Sequence, residues 1–398
     1  MITFVNLIQV MISENCMQNN FKLYKESNLL GRYITNQSIE PLLKKFDDIS
    51  EIDIIGESVN KLPIYSIKIG SGSKKILMWS QMHGNESTTT KAIFDILNTL
   101  KSEEFKGILK SCSLYIIPIL NPDGALTYTR LNANKEDLNR DAQNLSQPES
   151  IVLQEAFKKI NPDFCLNLHG QRTIFSAGLT DNPATVSFLA PAQDKDCTIT
   201  PNRKRAMELI AVMNKKLQQI IPNQIGIYDD AFNVNCVGDT FQSYGIPTVL
   251  FEAGHINQDY QREQVREYMY IALLTLINYI SENEVSGEKH LPYLSIPENG
   301  KQFYDVIIRN AVIINDKKET KIDIAIQFEE TLIDDEVHFL PKIAQVNELE
   351  DFYGHKEIDA DGKVLELEHK NSLTVGNEIV SVMINNKLFS LKPVINRK

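Results

Sequence analysis

The stretch ILMWSQMHGNESTTTKAIFDIL, residues 76–97, joins an apolar run to an amphipathic one through a short polar cluster. The apolar run predicts a buried strand, and the helical spacing that follows predicts a helix over residues 87–101. His83 and Glu86 lie between the two elements. A histidine at a strand end and a glutamate that opens the next helix both face the crevice beyond the strand.

Short apolar runs like the first one recur along the chain and predict further strands. They are SLYIIPIL (113–120), DFCLNLHG (163–170) and IPTVLFEAG (246–254), and helical patterns lie around 149–160, 203–221 and 261–282. Strands that alternate with helices predict an α/β fold with a mixed central β-sheet flanked by helices. Ligands of such sheets bind beyond the carboxyl ends of the strands, where His83, His169 and Glu252 fall.

The composition and the hydrophobic pattern of the sequence change after about residue 283. The stretch ENEVSGEKHLPYLSIPENGKQ is rich in glycine, proline and charge, as linkers are, and beyond it the apolar residues alternate with period two. We predict a leader and helical segment over 1–48 that packs on a catalytic domain over 49–283. A linker over 284–300 and a small C-terminal β domain over 301–398 complete the prediction.

Charge and cysteine content restrict the partners and the compartment. The formal net charge of −11 argues against a nucleic-acid or anionic-membrane partner. The five cysteines are scattered and never form a CxxC pair, so reduced thiols in a cytoplasm fit best. The apolar N-terminal MITFVNLIQVMI lacks a basic region, is too short to span a bilayer, and is absent if the chain starts at Met17. We therefore expect a cytoplasmic protein without a transmembrane span.

His83 and Glu86 form an HxxE pair, which is weak evidence for a metal site by itself. Their predicted placement at the mouth of a strand strengthens it, because imidazole nitrogen and carboxylate oxygen suit zinc. His169, at the end of a second predicted strand, is the candidate third ligand. Three protein ligands leave a fourth position for water, which is typical of catalytic zinc sites.

The segment ILNPDGALTYTRLNANKEDLNRD, residues 119–141, makes the pattern specific. Together with the HxxE pair it resembles the zinc carboxypeptidase (metallocarboxypeptidase) family. The family's motifs are HxxE, NPDG, Arg, D-x-N-R, a strand-end histidine and a catalytic glutamate on a late strand. In this sequence they correspond to His83 and Glu86, Asn121 to Gly124, Arg130, Asp137 to Arg140, His169 and Glu252. The tail from residue 301 lies outside the resemblance.

The resemblance implies hydrolysis of the C-terminal peptide bond of a peptide by metal-activated water. One zinc ion per chain would be bound by the residues of the HxxE pair and His169. Glu252 would accept a proton from the activated water and pass it to the leaving amine. Arg130 would polarise the scissile carbonyl and stabilise its developing charge.

The D-x-N-R motif implies recognition of the substrate's end. Arg140 offers a bidentate fork for a free terminal carboxylate, and Asn139 is a second donor. By family resemblance, Asp137 would orient His83 through its other ring nitrogen. The expected partner is thus a peptide or small amide that carries a free carboxylate.

One family feature has no secure counterpart in the chain. Family members place a tyrosine that contacts the bound peptide some twenty-odd positions before the catalytic glutamate. Here Tyr228 lies 24 positions and Asp230 lies 22 positions before Glu252, and neither alignment is secure. Asp239 falls near the segment that lines the family's side-chain pocket, where an acidic residue would favour a basic substrate side chain.

Two other functions are open at this stage. A zinc amide hydrolase (deacylase) acting on a small N-acyl amino acid, like succinylglutamate desuccinylase and aspartoacylase, would resemble this chain in HGNE and DLNR. The NPDG turn and the helix-rich stretch between His169 and Glu252 favour the carboxypeptidase. A non-catalytic zinc-binding module is the other alternative, and the intact Glu252 argues against it. A protein tail, a free peptide and a cell-wall peptide are all candidate substrates.

Overall fold

The computed structural model describes residues 18–315, 318–367 and 373–395. The apolar N-terminal stretch and the alternative start at Met17, on which the predicted compartment partly depends, lie outside the described residues. Within the described residues, no helix has both the length and the apolar character needed to cross a bilayer.

The α-helices share the first three quarters of the chain with the strands of the largest sheet. In chain order they are α1 (18–24), α2 (Asn36–Leu43), α3 (Thr88–Leu100), α4 (Lys106–Ser111), α5 (Pro122–Thr127), α6 (Pro148–Ile160), α7 (Pro201–Leu217), α8 (Val237–Ser243) and α9 (Glu263–Glu282). The predicted helix over 87–101 corresponds to α3.

The strands of the described residues fall into four sheets. In chain order they are β1 (Ser50–Glu57), β2 (Pro63–Ile69), β3 (Lys74–Ser80), β4 (Cys112–Ile117), β5 (Phe164–Gly170), β6 (Ser176–Ala177), β7 (Val186–Leu189), β8 (Ile225–Ile227), β9 (Thr248–Ala253), β10 (Asn299–Gly300), β11 (Phe303–Asn315), β12 (Lys318–Ile333), β13 (Glu336–Val346), β14 (Tyr353–Asp359), β15 (Leu365–Leu367), β16 (Ser381–Ile384) and β17 (Lys387–Ser390).

The central sheet has eight strands in the order β1-β2-β4-β3-β5-β9-β7-β8. Strands β4, β3, β5 and β9 run parallel, whereas β2 is antiparallel to β4 and β7 is antiparallel to β9. The prediction of a mixed central sheet flanked by helices is confirmed. Because β3, β5 and β9 are neighbours, their carboxyl ends meet at one edge, and His169 of β5 pairs in register with Glu252 of β9.

Both faces of this sheet are covered, which explains the unbroken apolar runs of its inner strands. Successive side chains of a strand point to opposite faces. Accordingly, Ile76 and Met78 of β3 join a core cluster with residues of α3, α7 and α9. Leu77 and Trp79 join a second cluster on the other face, where the Trp79 ring lies 5.4 Å from that of Phe241 in α8.

The C-terminal part of the described chain is a β region with its own core. Strands β11 to β14 form a sheet in the order β13-β12-β11-β14, and β15 to β17 form a smaller sheet. Apolar residues of both sheets, among them Ile308, Ile324 and Val382, are buried in one cluster. The predicted β character of the tail is confirmed, while the residue limits of the four predicted segments stay predictions.

Candidate active site

Three side chains that could ligate a metal converge beyond the carboxyl ends of β3 and β5. They are His83, Glu86 and His169, and one donor atom from each lies within 4.8 Å of the other two. Nδ1 of His83 is 2.9 Å from Oε1 of Glu86, and Nδ1 of His169 is 2.9 Å from Oε2. The structure thus brings together the three residues that the sequence analysis selected as ligands.

The NPDG turn holds the loop that carries His83. Asn121 caps α5 by accepting a hydrogen bond from the Gly124 amide at 2.8 Å, and its amide nitrogen donates to the Met82 carbonyl at 3.2 Å. Gly84 packs directly on this turn, since a Cβ there would lie 1.9 Å from the backbone carbon of Gly124. Only glycine fits at this contact, so the two sequence motifs form one structural unit.

The donor atoms fit a zinc ion. Nε2 of His83 lies 3.0 Å from Oδ1 of Asp137, so this nitrogen carries the proton and Nδ1 presents a lone pair. Burial lowers the pKa of His169, which favours the neutral ring that a metal ligand requires. Burial alone would raise the pKa of Glu86, but the two histidines hold it well below its ordinary value. Two imidazoles and a carboxylate are a donor set that zinc prefers.

Asp137 links His83 to Arg130. Its Oδ2 accepts hydrogen bonds from Nε and Nη2 of Arg130 at 3.1 and 2.9 Å. The remaining nitrogen of that guanidinium, Nη1, lies 3.2 Å from Nδ1 of His83 and 3.7 Å from Oε1 of Glu86. The charged end of Arg130 therefore lies beside the metal donors. The side chain is also 45% exposed, so a substrate can reach it.

A cleft of about 480 Å³ opens at this point. We call it the active-site cleft, and its walls include seven of the sequence-predicted residues: His83, Glu86, Arg130, Asn139, Arg140, His169 and Glu252. Asp137, the eighth, supports two of them from behind. The cleft therefore joins the candidate metal donors to the candidate carboxylate-binding residues.

Glu252 is a carboxylate with an unusual environment. Its Oε2 is buried and has no hydrogen-bond partner among the described residues. Burial, together with the charge of Glu86, raises its pKa well above the ordinary value. A buried carboxylate oxygen without a partner is costly to maintain, and carboxyl groups with a shifted pKa are concentrated at functional sites.

Arg140 belongs to a 3₁₀ turn, Leu138–Arg140, in the wall of the cleft. Its Nη1 donates to the Asn139 carbonyl at 2.7 Å and to Sγ of Cys236 at 3.2 Å, and no carboxylate of the described residues is ion-paired with it. The Asn139 Oδ1 accepts from the Val237 amide at 3.1 Å, which leaves its Nδ2 as a donor. Both side chains line the cleft.

Three further residues lie in the cleft. The sequence suggests but does not establish a role for Tyr228 and Asp239, and it does not point to Asn167. Tyr228 lines the cleft, and burial together with Glu252 raises its pKa. Asp239, in the first turn of α8, also lines it, and burial raises its pKa to about 6. Both polar atoms of the Asn167 side chain are buried without a partner in the described chain. The period-two rule could have identified Asn167, because it shares a strand face with His169.

Part of the chain is similar in sequence to a known protein family. A sequence profile described as zinc carboxypeptidase matches residues 35–136, which contain the HxxE pair and Arg130. This part of the chain is similar to the zinc carboxypeptidase family. The predicted resemblance is thereby confirmed.

Individual relatives extend this finding. Carboxypeptidase SOL1 from Arabidopsis thaliana is 30% identical over 163 residues, which are 35% of this chain and 33% of that protein. Gamma-D-glutamyl-L-diamino acid endopeptidase 1 from Lysinibacillus sphaericus is 35% identical over 80 residues, 18% of this chain and 20% of that one. The chain therefore spans a third or less of the length of these curated relatives.

A similar fold is found among solved structures. The crystal structure of carboxypeptidase A from Helicoverpa armigera matches with a TM-score of 0.51 at 14% identity, and the match covers 69% of this chain and 81% of that one. At this identity the match shows a shared fold.

Proposed function

We propose that the protein is a zinc-dependent metallocarboxypeptidase that hydrolyses the peptide bond before a free C-terminal carboxylate. One observation supports this most directly: a single cleft holds three metal-donor side chains, the partly buried Glu252 and the unpaired cation of Arg140. A peptide whose terminal carboxylate binds Arg140 would place its last amide bond near the donors.

His83, Glu86 and His169 would hold one zinc ion per chain. A zinc ion bound there polarises a carbonyl group and lowers the pKa of a water molecule. Asp137 keeps the Nδ1 lone pair of His83 directed at the site through its hydrogen bond to Nε2.

Glu252 is the proposed general base. A carboxylate whose pKa is raised by burial accepts a proton from the attacking water more readily than an ordinary one. After the attack, the same carboxyl group would return the proton to the nitrogen of the leaving amino acid. This transfer prevents the departure of a strongly basic amide anion.

Arg130 is the proposed stabiliser of the substrate's carbonyl oxygen. The guanidinium is held by two hydrogen bonds to Asp137, so its position is fixed before the substrate arrives. Its Nη1 lies beside the metal donors and would donate to the oxygen as negative charge develops there. A preorganised donor of this kind stabilises a transition state without reorganisation.

Arg140 and Asn139 are the proposed carboxylate-binding pair. A guanidinium binds a carboxylate through two parallel hydrogen bonds, and an amide nitrogen supplies a third. Recognition of this charge would restrict cleavage to the end of the chain.

Hydrolysis of a small N-acyl amino acid is the second candidate, because it would use the same residues. One observation favours it: strands β12 and β13 line a cavity beside Glu86, on the side of the cleft away from Arg140. Such a wall restricts the space for the part of a substrate that precedes the scissile bond.

A cytoplasmic location is also a proposal. Four cysteines lie in the described residues, namely Cys112, Cys165, Cys197 and Cys236, and all four are free thiols. Free thiols are typical of proteins in a reducing compartment. The acidic net charge likewise supports a peptide rather than a nucleic acid as the partner.

An arginine substitution tests the proposed function. We expect Arg140→Met to lower kcat/KM for a blocked tripeptide by about 100-fold or more, since a charge-assisted pair contributes about 3 kcal/mol. Lys195→Met is the matched control, because Lys195 is an exposed cation outside the cleft. Equal loss in both variants, or no loss in either, would contradict the proposed role of Arg140.

A further inference from the structure

A second cavity, of about 380 Å³, lies between the α/β domain and the β region. Residues of the domain, including Arg32, Asn85 and Arg262, form one side of it. Residues of strands β11 to β13 form the other side: Asp305, Gln327, Phe328, Glu329, Glu330 and Phe339. We call this space the second cavity.

The second cavity and the active-site cleft share part of their walls. Glu86, Arg130, Gly170, Gln171 and Arg172 line both. Among the described residues, the β region contributes to the second cavity and not to the cleft. The two spaces therefore meet at Glu86, one of the metal donors, and at Arg130.

This arrangement fixes which part of a substrate faces the second cavity. Arg140 and Asp239 line the cleft but not the second cavity. A substrate whose terminal carboxylate binds Arg140 has its scissile carbonyl near Glu86 and Arg130. The segment that precedes this carbonyl must then cross the shared wall toward the second cavity.

Hydrogen bonds attach the β-region wall to the domain. Oε2 of Glu330 accepts from Nη2 of Arg32 at 3.0 Å and from the Tyr128 hydroxyl at 2.6 Å. Nε2 of Gln327 donates to Oγ1 of Thr173 at 2.7 Å, two residues beyond Gln171 in the shared wall. The bonds to Glu330 are charge-assisted and partly buried, so breaking them destabilises the contact.

Aromatic packing supports the same wall. The Tyr260 ring lies 5.1 Å from the Phe328 ring and 5.4 Å from the Phe339 ring, and its hydroxyl donates to Asp305 at 3.1 Å. Tyr260 belongs to the domain, whereas its three partners belong to the β region. We conclude that the β region holds a fixed position against the cleft.

Buried polar atoms of the lining residues have no partner within the described chain. They include Nε of Arg32, Nε of Arg262 and Oε1 of Gln327. Arg262 is 2% exposed, and its other two guanidinium nitrogens donate to the carbonyls of Ala253 and Gln171. Because these atoms are buried, the groups of the wall that a substrate can reach are instead the exposed guanidinium groups of Arg130 and Arg172, which line the cavity and can donate to the carbonyl oxygens of a peptide main chain.

We propose that the second cavity binds the peptide segment just before the scissile bond, and that strands β12 and β13 limit its length. This inference rests on the proposed carboxypeptidase function and names its substrate class as short peptides. A space of 380 Å³ is about 7 Å across, and an extended chain advances ~3.4 Å per residue. Roughly two residues before the scissile bond would fit.

A length series tests the proposal on the zinc-loaded full chain. Peptides from dipeptide to hexapeptide with the same C-terminal residue would be compared by kcat/KM for release of that residue. We expect kcat/KM to be highest at the tripeptide and to fall about tenfold or more by the hexapeptide, because remote residues then clash rather than bind. Equal or higher values for the hexapeptide overturn the length limit while leaving the carboxypeptidase function in place. Failure to cleave any length overturns both.

Substitutions in the β-region wall of the second cavity test whether that wall is what limits the length of the peptide. Phe339→Ala enlarges the second cavity and should raise the hexapeptide-to-tripeptide ratio of kcat/KM several-fold. Phe389→Ala, in β17 and outside the second cavity, is the matched control and should leave the ratio unchanged. An unchanged ratio in Phe339→Ala overturns the assignment.

A second variant tests the same wall without removing the buried Phe339 ring, whose loss could destabilise the fold. Glu329 is exposed and lines the second cavity, so Glu329→Trp should fold and narrow the space. We expect it to lower kcat/KM for the tripeptide relative to the dipeptide. Lys321→Trp, at an exposed position of the same strand outside the cavity, should not. The same dipeptide-to-tripeptide ratio in both variants overturns the proposal.

Discussion

The Nδ1 atoms of His83 and His169 lie 3.0 Å apart, and each lies 2.9 Å from an oxygen of Glu86. The hydrogen bond between Nε2 of His83 and Asp137 leaves the Nδ1 atom of His83 directed at the other two donors. A cation among the three donors satisfies all of them at once. The sequence places these residues on separate elements, and adjacent strands bring them together.

Loss of one ligand should remove the metal. We expect His169→Ala to lose its zinc, because two protein donors bind zinc much more weakly than three. Metal analysis of the purified protein, in moles of zinc per mole of chain, measures this. His338→Ala is the matched control, since His338 is exposed in β13. Stoichiometric zinc in His169→Ala would show that the ligand assignment is wrong.

Replacing Glu252 by glutamine should separate chemistry from binding. The amide cannot accept a proton, so we expect kcat to fall by about 10²- to 10⁴-fold. Zinc content should stay the same, because Glu252 is not among the clustered donors. Steady-state kinetics together with metal analysis would check both points. A kcat close to that of the wild type would exclude Glu252 as the base.

Asp239 should make the enzyme's preference for the C-terminal side chain of the substrate depend on pH. Burial raises its pKa to about 6, so the carboxyl group is neutral below this pH and charged above it. A preference for a terminal lysine over a terminal norleucine should therefore be present above about pH 6 and be lost as the pH falls. Comparing the two substrates as a ratio of kcat/KM cancels the titration of the shared catalytic groups.

The asparagine variant is the control for this preference. Asp239→Asn keeps the size of the side chain and cannot ionise, so its ratio should be low and independent of pH. A wild-type ratio that does not change between about pH 5 and about pH 8 would contradict the assignment.

Much of the site could be predicted because its motifs are local in sequence. The HxxE pair, NPDG and D-x-N-R each lie within a few residues, and strand ends located His169 and Glu252. Asn167 was missed although strand alternation places it beside His169. The sequence does not decide the role of Tyr228, because an offset of 24 positions in sequence does not determine where a loop residue packs.

The remaining features depend on contacts between distant segments. Strands β7 and β8 have four and three residues, too few to show a period, so the edge of the sheet was not predicted. The second cavity combines Arg32, Arg262 and Glu330, which are brought together only when the β region packs on the domain. Sequence patterns report local structure and not such packing.

The central claim is that the cleft cleaves a peptide bond next to a free terminal carboxylate. The most direct measurement compares a blocked tripeptide with its C-terminal amide, using zinc-loaded protein and detecting the released residue by mass spectrometry. We expect release of the C-terminal amino acid from the free acid and a loss of about 100-fold or more in kcat/KM for the amide, because a neutral group then faces Arg140. Equal cleavage of both compounds, or cleavage of neither, would contradict the proposed function.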